Sequence, residues 1–532
     1  MNNEPSSSLA DADDSARWTR RSLMLIAGLA IFRVLYLALD PFDLVHDEAY
    51  YWDWSRQLDY GYYSKPPMIA WIIGLSTRLL GNSEFAVRLP AALLGTGSLL
   101  FVFLLAKRMY NAQVGFWAAL LVAMTPGNGA MSLLMTIDSP FLFFWSAAMY
   151  AFWRLLERKE DRWRWLIATT VLIGLGLLTK QTMAGLLVFG GLFVLLSKED
   201  RFEAIRPGLY VCAAGAILFL APVLYWNYQH DWITLQHTSE HFQAEPVSAL
   251  RRVVISLEFV GGLFGVISPV TFFLVLAVGA FGLAAFRQVG RRERFLLCLS
   301  ALPMLLVFGL SLKQRLELNW PAPFFGAAII LVAAWALGHV SLPRLPMKPG
   351  EWRLRMAAGA GAVCLAVTYA IPFTLTPLGL NGSPVDVIVR LRGWEELGEK
   401  VGGEVATEEN ASPEMPIEMI VTAGRAIASE LAFYMPQHPK VYVWDNNTVP
   451  LSQYDVWGGP QGEGRDFLVV TYQDQEVPAA LRLAFETLTP LPDVEVEVGP
   501  NRKHAVTVYQ GTNFRGWSIA KQLQTGQSTL RR

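Results

Sequence analysis

Two adjacent carboxylates stand directly after the first apolar segment of the chain, in the stretch His46-Asp47-Glu48-Ala49-Tyr50-Tyr51-Trp52. One carboxylate of such a pair can act as a general base while its neighbour orients it or the substrate. Both could instead cap a helix, because acidic residues stabilise helix N-termini. Lys65 follows on the same loop, in front of two prolines, and a lysine is a good point-charge partner for a phosphate. The spacing therefore favours chemistry on an anionic substrate.

Other charged residues stand at the ends of apolar segments. Asp138 lies in the stretch 135–140 (MTIDSP), and Lys180 occupies a similar turn after another apolar run. Charges near lipid are costly, so several opposite charges at one membrane face predict a site for an anionic lipid headgroup. Trp320, in the polar turn 313–321, fits interfacial anchoring as well as substrate contact.

A metal site has one pair of candidate ligands. His237 and His241 are four residues apart, so on a helix they would share a face and could bind a divalent ion. Zinc usually needs a third protein ligand, and a solvated interfacial loop is the favoured interpretation of this segment. No other cofactor is predicted, and a divalent metal is left open.

Composition indicates which elements position these residues. The chain has 532 residues, of which 53% are hydrophobic and 17% charged, whereas about a quarter of the residues of a soluble domain are charged. Apolar runs recur that are long enough to cross a bilayer core of about 30 Å. The net charge of −1, without a long basic block, excludes a nucleic-acid partner. The sequence predicts a polytopic α-helical membrane protein.

Hydropathy and charge bias predict the topology. Eleven spans are expected, at 22–39, 89–106, 114–134, 139–156, 165–179, 182–197, 208–227, 265–286, 295–311, 321–339 and 357–377. Arginine and lysine cluster in alternate loops, which places residues 1–21 in the cytoplasm and the C-terminus outside. Residues 22–379 are the predicted transmembrane domain, with a large first external loop at 40–88. Within that loop, 44–60 and 66–80 are predicted to be helices along the outer membrane face.

The polar C-terminal part, 380–532, has a different pattern. Stretches 417–422, 440–444 and 467–472 alternate like strands, and helical patterns at 387–401, 426–434 and 478–488 lie between them. A final pair, 494–498 and 505–509, is expected to be antiparallel. This alternation predicts a small external α/β domain, whose favoured role is that of a lid or a docking module.

Three motifs in this order resemble a known family. The stretches 46–52 (HDEAYYW), 61–67 (GYYSKPP) and 85–90 (FAVRLP) look like the first external loop of the polyprenyl-phosphate-sugar glycosyltransferases. These C-type glycosyltransferases include protein O-mannosyltransferases and bacterial aminoarabinose–lipid A transferases. The resemblance extends to 319–321, and the layout of many spans followed by an external domain is also similar.

The resemblance implies roles for individual residues. Asp47 matches the acidic residue of the family's active site and Glu48 its neighbour, while Lys65 matches a lysine near the donor phosphate. Asp138 matches a second acidic position. The full set of implied or predicted site residues is catalytic Asp47 and Glu48, donor-phosphate-binding Lys65, Arg88 and Lys180, and substrate-binding Tyr50, Tyr51, Asp138 and Trp320.

The sequence departs from the family at one position. The aminoarabinose transferases have an arginine, close to the phosphate, where this chain has Tyr50. That difference puts aminoarabinose as the sugar in doubt.

The implied activity is an inverting transfer of a sugar from a polyprenyl-phosphate donor. The acceptor is lipid A or lipopolysaccharide, another envelope glycan, or a protein hydroxyl, on the periplasmic face of a bacterial inner membrane. A lipid or solute transporter, or flippase, is the alternative. Transporters usually contain repeated halves with broken helices near the membrane centre, and no two halves of this sequence match.

Overall fold

The computed structural model describes residues 5–39, 42–157, 161–240, 248–407, 418–445, 447, 449–500, 502–518 and 520–521. The chain divides into two compact units. The helical unit comprises Met1–Leu39, Lys65–Ile69 and Arg88–Ala370. The sheet unit comprises Asp40–Ser64, Ala70–Val87 and Ile371–Arg532, so it contains most of the predicted first external loop.

Helices account for most of the described residues. Up to residue 229 they are α1 Pro5–Leu37, α2 His46–Arg56, α3 Met68–Leu80, α4 Glu84–Met109, α5 Ala112–Ala123, α6 Pro126–Met131, α7 Asp138–Leu156, α8 Arg162–Leu177, α9 Ala184–Leu196, α10 Pro207–Leu218 and α11 Ala221–Gln229. The next are α12 Ile233–Glu240, α13 Ala249–Ile267, α14 Pro269–Ala284, α15 Arg291–Cys298, α16 Ala301–Ser311, α17 Ala322–Ala336 and α18 Glu351–Thr374. Short 3-10 turns cover Gln181–Met183, Arg201–Ile205 and Val389–Leu391.

The long apolar helices identify a membrane protein. Among the described residues, four helical stretches are long and apolar enough to cross a bilayer: Glu84–Met109, Pro207–Gln229, Arg291–Ser311 and Glu351–Thr374. In Pro207–Gln229 and in Glu351–Thr374, only 17% of the most apolar 18-residue stretch is buried within the protein. Exposed apolar surface of that extent needs lipid around it.

Two consecutive apolar helices form a sharply bent pair. Helices α13 and α14 pass the same test together but meet at an angle of 115°. The residue between them, Ser268, has a φ of 76°, a left-handed conformation that a non-glycine residue seldom adopts. The proline that follows opens α14, where its missing N–H costs nothing. Helix α13 therefore ends at a sharp corner at Ser268.

The centre of the helical unit is formed by α17. Every residue from Ala327 to Ala336 is buried, and the neighbours include α5 and α14. Small side chains let membrane helices approach closely, and much of the affinity between such helices comes from van der Waals packing. The same principle acts where α18 passes α5.

A glycine in α18 provides a stability test. A Cβ added at Gly361 would lie 2.6 Å from the carbonyl oxygen of Met124, whereas one at Gly359 would meet nothing within 4 Å. Gly361→Ala is expected to cost about 1–3 kcal/mol through overpacking. Gly359→Ala, on the same helix, should be neutral or stabilising by up to about 1 kcal/mol. Thermal unfolding in detergent checks both, and equal stability of the two variants would contradict the close approach.

The sheet unit carries a mixed six-stranded sheet. Its strands are β1 Glu418–Val421, β2 Lys440–Val443, β3 Arg465–Tyr472, β4 Thr487–Pro490, β5 Val494–Gly499 and β6 Arg502–Phe514. The order is β2-β1-β3-β6-β4, with β5 also paired to β6. Strands β1, β2 and β3 are parallel, and β6 is antiparallel to its partners. Helices α19 Trp394–Thr407, α20 Gly424–Tyr434, α21 Gln453–Trp457 and α22 Ala479–Leu483 complete the unit.

The predicted α/β pattern is confirmed in outline. The five predicted strand segments contain strands, and the last two pair in antiparallel register from Val494–Val506 onward. The helix expected over 387–401 begins only at Trp394, and that over 478–488 is one short helix followed by β4. Helix α21 and strand β4 are too short for a periodic pattern to show them.

Helix α2 of the first loop packs against α20 within the sheet unit. The rings of Trp52 and Phe433 meet edge to face at 4.9 Å. The hydroxyl of Ser429 donates to the carbonyl oxygen of His46 over 3.2 Å. At the other end of α2, Arg56 donates to the carbonyl oxygen of His438 over 2.9 Å. The carboxylate-bearing loop and the C-terminal residues therefore share one core.

Candidate functional site

Asp47 lies in the first turn of α2 and faces two nitrogen-bearing side chains. Its Oδ1 is 3.0 Å from Nη1 of Arg425 and 3.8 Å from Nε2 of His46. The Asp47 and Arg425 side chains are each 40% exposed, so the pair is open to solvent. Burial lowers the pKa of His46, with Asp47 opposing this effect and Arg425 adding to it. The imidazole is therefore neutral at pH 7, and Arg425 is the cation that faces Asp47.

Glu48 has a different environment from Asp47. Its side chain is fully buried, and Oε2 accepts a hydrogen bond from the backbone N–H of Val45 over 3.1 Å. That contact satisfies one of the unpaired donors at the start of α2. Of the two adjacent carboxylates, only Asp47 is thus accessible to a substrate, while Glu48 fixes the helix start.

Tyr50 and Tyr51 belong to a buried aromatic cluster on α2. The Tyr50 ring lies 4.8 Å from that of Trp54, and the Tyr51 ring lies 5.0 Å from the same indole. The Tyr50 hydroxyl accepts a hydrogen bond from the backbone N–H of Gln453. Burial raises the pKa of Tyr50, so the phenol is neutral. One face of the Tyr50 ring supports the Arg425 guanidinium, at 5.0 Å from the ring centroid.

Asp138, in the helical unit, holds a second set of charges together. It opens α7, and its Oδ1 is 2.9 Å from the ammonium of Lys180. Its Oδ2 accepts a hydrogen bond from Nδ2 of Asn319 over 2.6 Å. The Asp138 and Lys180 side chains are only 6% and 15% exposed. A buried pair of this kind fixes the ammonium in place, because each charge would be costly alone.

The remaining predicted residues of the helical unit are Trp320, Lys65 and Arg88. Trp320 is half-buried and directly follows Asn319. Lys65 is half-buried, and three residues later the N–H of Met68 donates to the carbonyl oxygen of Leu178 over 3.1 Å. Arg88, in α4, is 1% exposed. The backbone bond at Met68 ties the segment of Lys65 to the residues just before Lys180.

The side-chain oxygen of Asn319 can accept a hydrogen bond from a ligand. Its Oδ1 is buried and accepts no hydrogen bond from the residues that the structure describes. A buried acceptor without a donor is costly, so its persistence next to Asp138 favours a role in binding a hydroxyl or amide of a ligand.

Sequence reasoning missed two arginines. Arg425 gave no signal, because it lies in an ordinary helical pattern of the C-terminal part. Arg33 gave one, since it is a charged residue inside an apolar span. It is fully buried in α1, where its guanidinium donates to Thr96 over 3.1 Å and to Asn128 over 2.7 Å.

The metal candidates are only partly within the described residues. His237 lies near the end of α12, and His241 falls outside the described residues. In the described part of the chain there is no group of three histidine, cysteine or acidic side chains that could hold a metal ion.

Half-buried histidines make the sheet unit sensitive to acid. Burial lowers the pKa of His504, partly offset by its hydrogen bond with the carbonyl oxygen of Arg392, and burial likewise lowers that of His438. A depressed folded-state pKa means that stability is complete above the unfolded pKa of about 6.5 and declines as the pH falls below it.

The expected result is faster hydrogen exchange in β5 and β6 at about pH 5.5 than at about pH 7.5, after correction for intrinsic rates. The acid-induced increase should be smaller in His504→Gln. An equal increase in that variant would contradict the assignment to His504.

Known proteins resemble this chain in sequence. Residues 64–226 match the family model described as dolichyl-phosphate-mannose-protein mannosyltransferase. Lipid A galacturonosyltransferase RgtD of Rhizobium johnstonii is 33% identical over 60% of this chain and 66% of its own length. The undecaprenyl phosphate-alpha-4-amino-4-deoxy-L-arabinose arabinosyl transferase of Pseudomonas aeruginosa is 27% identical, over 58% of this chain and 62% of its own length. The chain thus spans somewhat less than two thirds of these relatives.

A solved structure extends the similarity to the whole fold. ArnT from Cupriavidus metallidurans in the apo state superposes with a TM-score of 0.59, covering 93% of this chain and 98% of ArnT at 16% identity. The resemblance predicted from the motifs is confirmed: the family model and the two relatives are glycosyltransferases by description, and the fold of the chain is similar to that of ArnT.

Proposed function

We propose that this protein is an inverting glycosyltransferase that moves a sugar from a polyprenyl-phosphate donor to lipid A or a related envelope acceptor. The observation that carries the proposal is the accessible carboxylate of Asp47 on α2, with its neighbour Glu48 buried as a helix cap. This arrangement provides one base at the motif that the family shares. The name of the relative RgtD supplies the acceptor class and the first sugar to test, galacturonic acid.

The membrane setting belongs to the same proposal. Eleven crossings, with the N-terminus in the cytoplasm, would put the C-terminal residues and the motif 46–52 on the periplasmic side of a bacterial inner membrane. The basic clusters in alternate loops support this orientation. A polyprenyl-phosphate sugar presented at that face needs no nucleotide, because its phosphate is already the leaving group.

The reaction is a single displacement at C1 of the sugar. The acceptor hydroxyl oxygen forms a bond to C1 while the C1–O bond to phosphate breaks, and the electron pair leaves with the polyprenyl phosphate. Attack from the face opposite the phosphate inverts the configuration. Asp47 takes the proton of the hydroxyl as general base. An acceptor that is already an anion would need Asp47 only for orientation.

Cationic side chains would stabilise the departing phosphate. Lys180 is one candidate of the helical unit, because Asp138 holds its ammonium at 2.9 Å and burial restricts its motion. Lys65 and Arg88 are the other proposed phosphate ligands. Fixed charges aimed at a developing anion are a large part of catalysis in water-poor sites.

The residue at position 50 argues against aminoarabinose as the sugar. Tyr50 stands where the aminoarabinose transferases have an arginine, and its ring is buried against Trp54 within the sheet unit. A uronosyl donor is the first to be tested, because the relative RgtD is named as a galacturonosyltransferase.

The deciding experiment supplies purified protein with undecaprenyl phosphate linked to radiolabelled galacturonic acid and with lipid A. The expected products are labelled lipid A and free undecaprenyl phosphate, separated by thin-layer chromatography. The neutral hexosyl and aminoarabinosyl donors serve as comparisons. Movement of intact donor across a liposome without release of undecaprenyl phosphate would instead identify a transporter.

A further inference from the structure

Arg425 has a position that helix stability does not explain. It lies in the first turn of α20, where the helix dipole is positive and a cation is unfavourable. The preceding Gly424 has a φ of 83°, so the chain turns sharply to place Arg425 beside α2. Only about 0.2–1 kcal/mol is gained from a solvent-exposed ion pair such as that with Asp47.

The packing of α20 on α2 does not depend on Arg425 either. Trp52 of α2 packs on Phe433 of α20, and the buried carboxylate of Asp53 joins α2 to α21 by accepting a hydrogen bond from Tyr454 over 2.8 Å. The backbone contacts at His46 and His438 add to this interface. Neighbouring elements are thus held by buried groups, while Arg425 stays 40% exposed.

The guanidinium is instead positioned as a binding group. The Tyr50 ring supports one face of it at 5.0 Å, and that ring is itself fixed by Trp54 and by the N–H of Gln453. The single hydrogen bond to Asp47 uses Nη1. Arginine in a fixed plane matches the paired oxygens of phosphate or carboxylate, which it can bind through two parallel bonds.

We propose that Arg425 binds an oxyanion of the substrate, either a phosphate or a carboxylate. When the substrate binds, the hydrogen bond from Arg425 to Asp47 is replaced by hydrogen bonds from Arg425 to this oxyanion. The exchange would release Asp47 from its ion pair at the moment when a free carboxylate is needed. The C-terminal residues would then supply a ligand to the reaction instead of acting only as a lid or docking module. This inference rests on the proposed function for its substrates.

The test compares Arg425→Ala and Arg425→Lys with Arg482→Ala, which removes an exposed arginine of α22 in the same unit. Binding of undecaprenyl phosphate alone is measured first, followed by kcat and KM with uronosyl and hexosyl donors. Lipid A with and without its phosphates is the acceptor. Loss of a hydrogen bond to a charged group is expected to weaken binding about 10- to 100-fold, with partial rescue by lysine.

These measurements distinguish three possible sources of the oxyanion. Weaker binding of undecaprenyl phosphate identifies the donor phosphate, and a KM increase confined to the uronosyl donor identifies the sugar carboxylate. A KM increase confined to phosphorylated lipid A identifies the acceptor. Any of these supports the proposal, provided that size-exclusion profiles and hydrogen exchange of α2 match the wild type.

The proposal is overturned if Arg425→Ala changes none of these quantities more than Arg482→Ala does. It is also overturned if Arg425→Ala lowers all activities equally while α2 becomes unprotected from exchange, since Arg425 would then be structural. A wild-type protein that consumes no donor would refute the proposed function, whereas undecaprenyl phosphate binding would still test Arg425.

Discussion

Asp47→Asn is expected to reduce sugar transfer to a hydroxyl acceptor by about 10²- to 10⁴-fold, the usual contribution of a positioned general base. The asparagine has the same shape and can still accept the hydrogen bond that Arg425 now gives to Oδ1. Helix α2 should therefore keep its place, and binding of the lipid donor should stay within a few-fold of the wild type. The measurement is single-turnover transfer of radiolabelled sugar, with donor binding determined separately.

Asp474→Asn is the matched control for this substitution. Asp474 is an exposed carboxylate of the same sheet unit, in the turn after β3, so its loss tests the removal of one negative charge alone. Wild-type transfer is expected from that variant. Near-normal turnover by Asp47→Asn, at normal expression, would exclude Asp47 as the base, and a large loss confined to hydroxyl acceptors would establish it.

The second large effect is expected at the buried ion pair of the helical unit. Asp138→Asn or Lys180→Met alone leaves one charge buried without its partner, which costs about 3–5 kcal/mol of unfolding free energy. The amide of Asn319, 2.6 Å from Asp138, loses a charged acceptor in the first variant as well. The double variant removes both charges and should regain most of the stability, because a neutral pair needs no compensation.

Activity separates the two roles of this pair. The stable double variant is still expected to be inactive, since Lys180 is the proposed ligand of the leaving phosphate. Thermal unfolding followed by tryptophan fluorescence, together with donor consumption, measures both properties in a double-mutant cycle. Full activity in the double variant would show that the pair only supports the fold. A double variant as unstable as the single ones would show that the two charges do not compensate each other.

Local patterns explain the parts of the fold that the sequence predicts. Long apolar runs correspond to helices such as α4 and α18, because in a membrane a helix satisfies all its backbone hydrogen bonds within its own segment. The period-two alternation in β5 and β6 likewise reflects one buried and one exposed face. The boundaries of the helices and strands depend on packing, and so does the formation of the shortest elements, such as α21. These features were therefore not predictable from the sequence.

The candidate site likewise has features that the sequence predicts and features that depend on packing. The residue types at Asp47, Lys65, Asp138 and Lys180 are properties of the sequence, and the motifs 46–52, 61–67 and 85–90 predict the family resemblance. That Glu48 is a buried cap and Asp47 an exposed carboxylate follows only from how α2 packs against α20. Neighbours in the chain point to different surroundings on a helix, and hydropathy does not say which one turns inward.

By itself, the sequence determined that this is a helical membrane protein with an α/β C-terminal part and an acidic motif of a sugar-transferring family. Tertiary structure alone decided which charges meet. Arg425 reaches Asp47 across 378 residues of chain, and Asn319 reaches Asp138 across 181. Such contacts carry no local signal, because hydrophobic burial elsewhere stabilises the fold and thereby brings distant polar groups together at little energetic gain of their own.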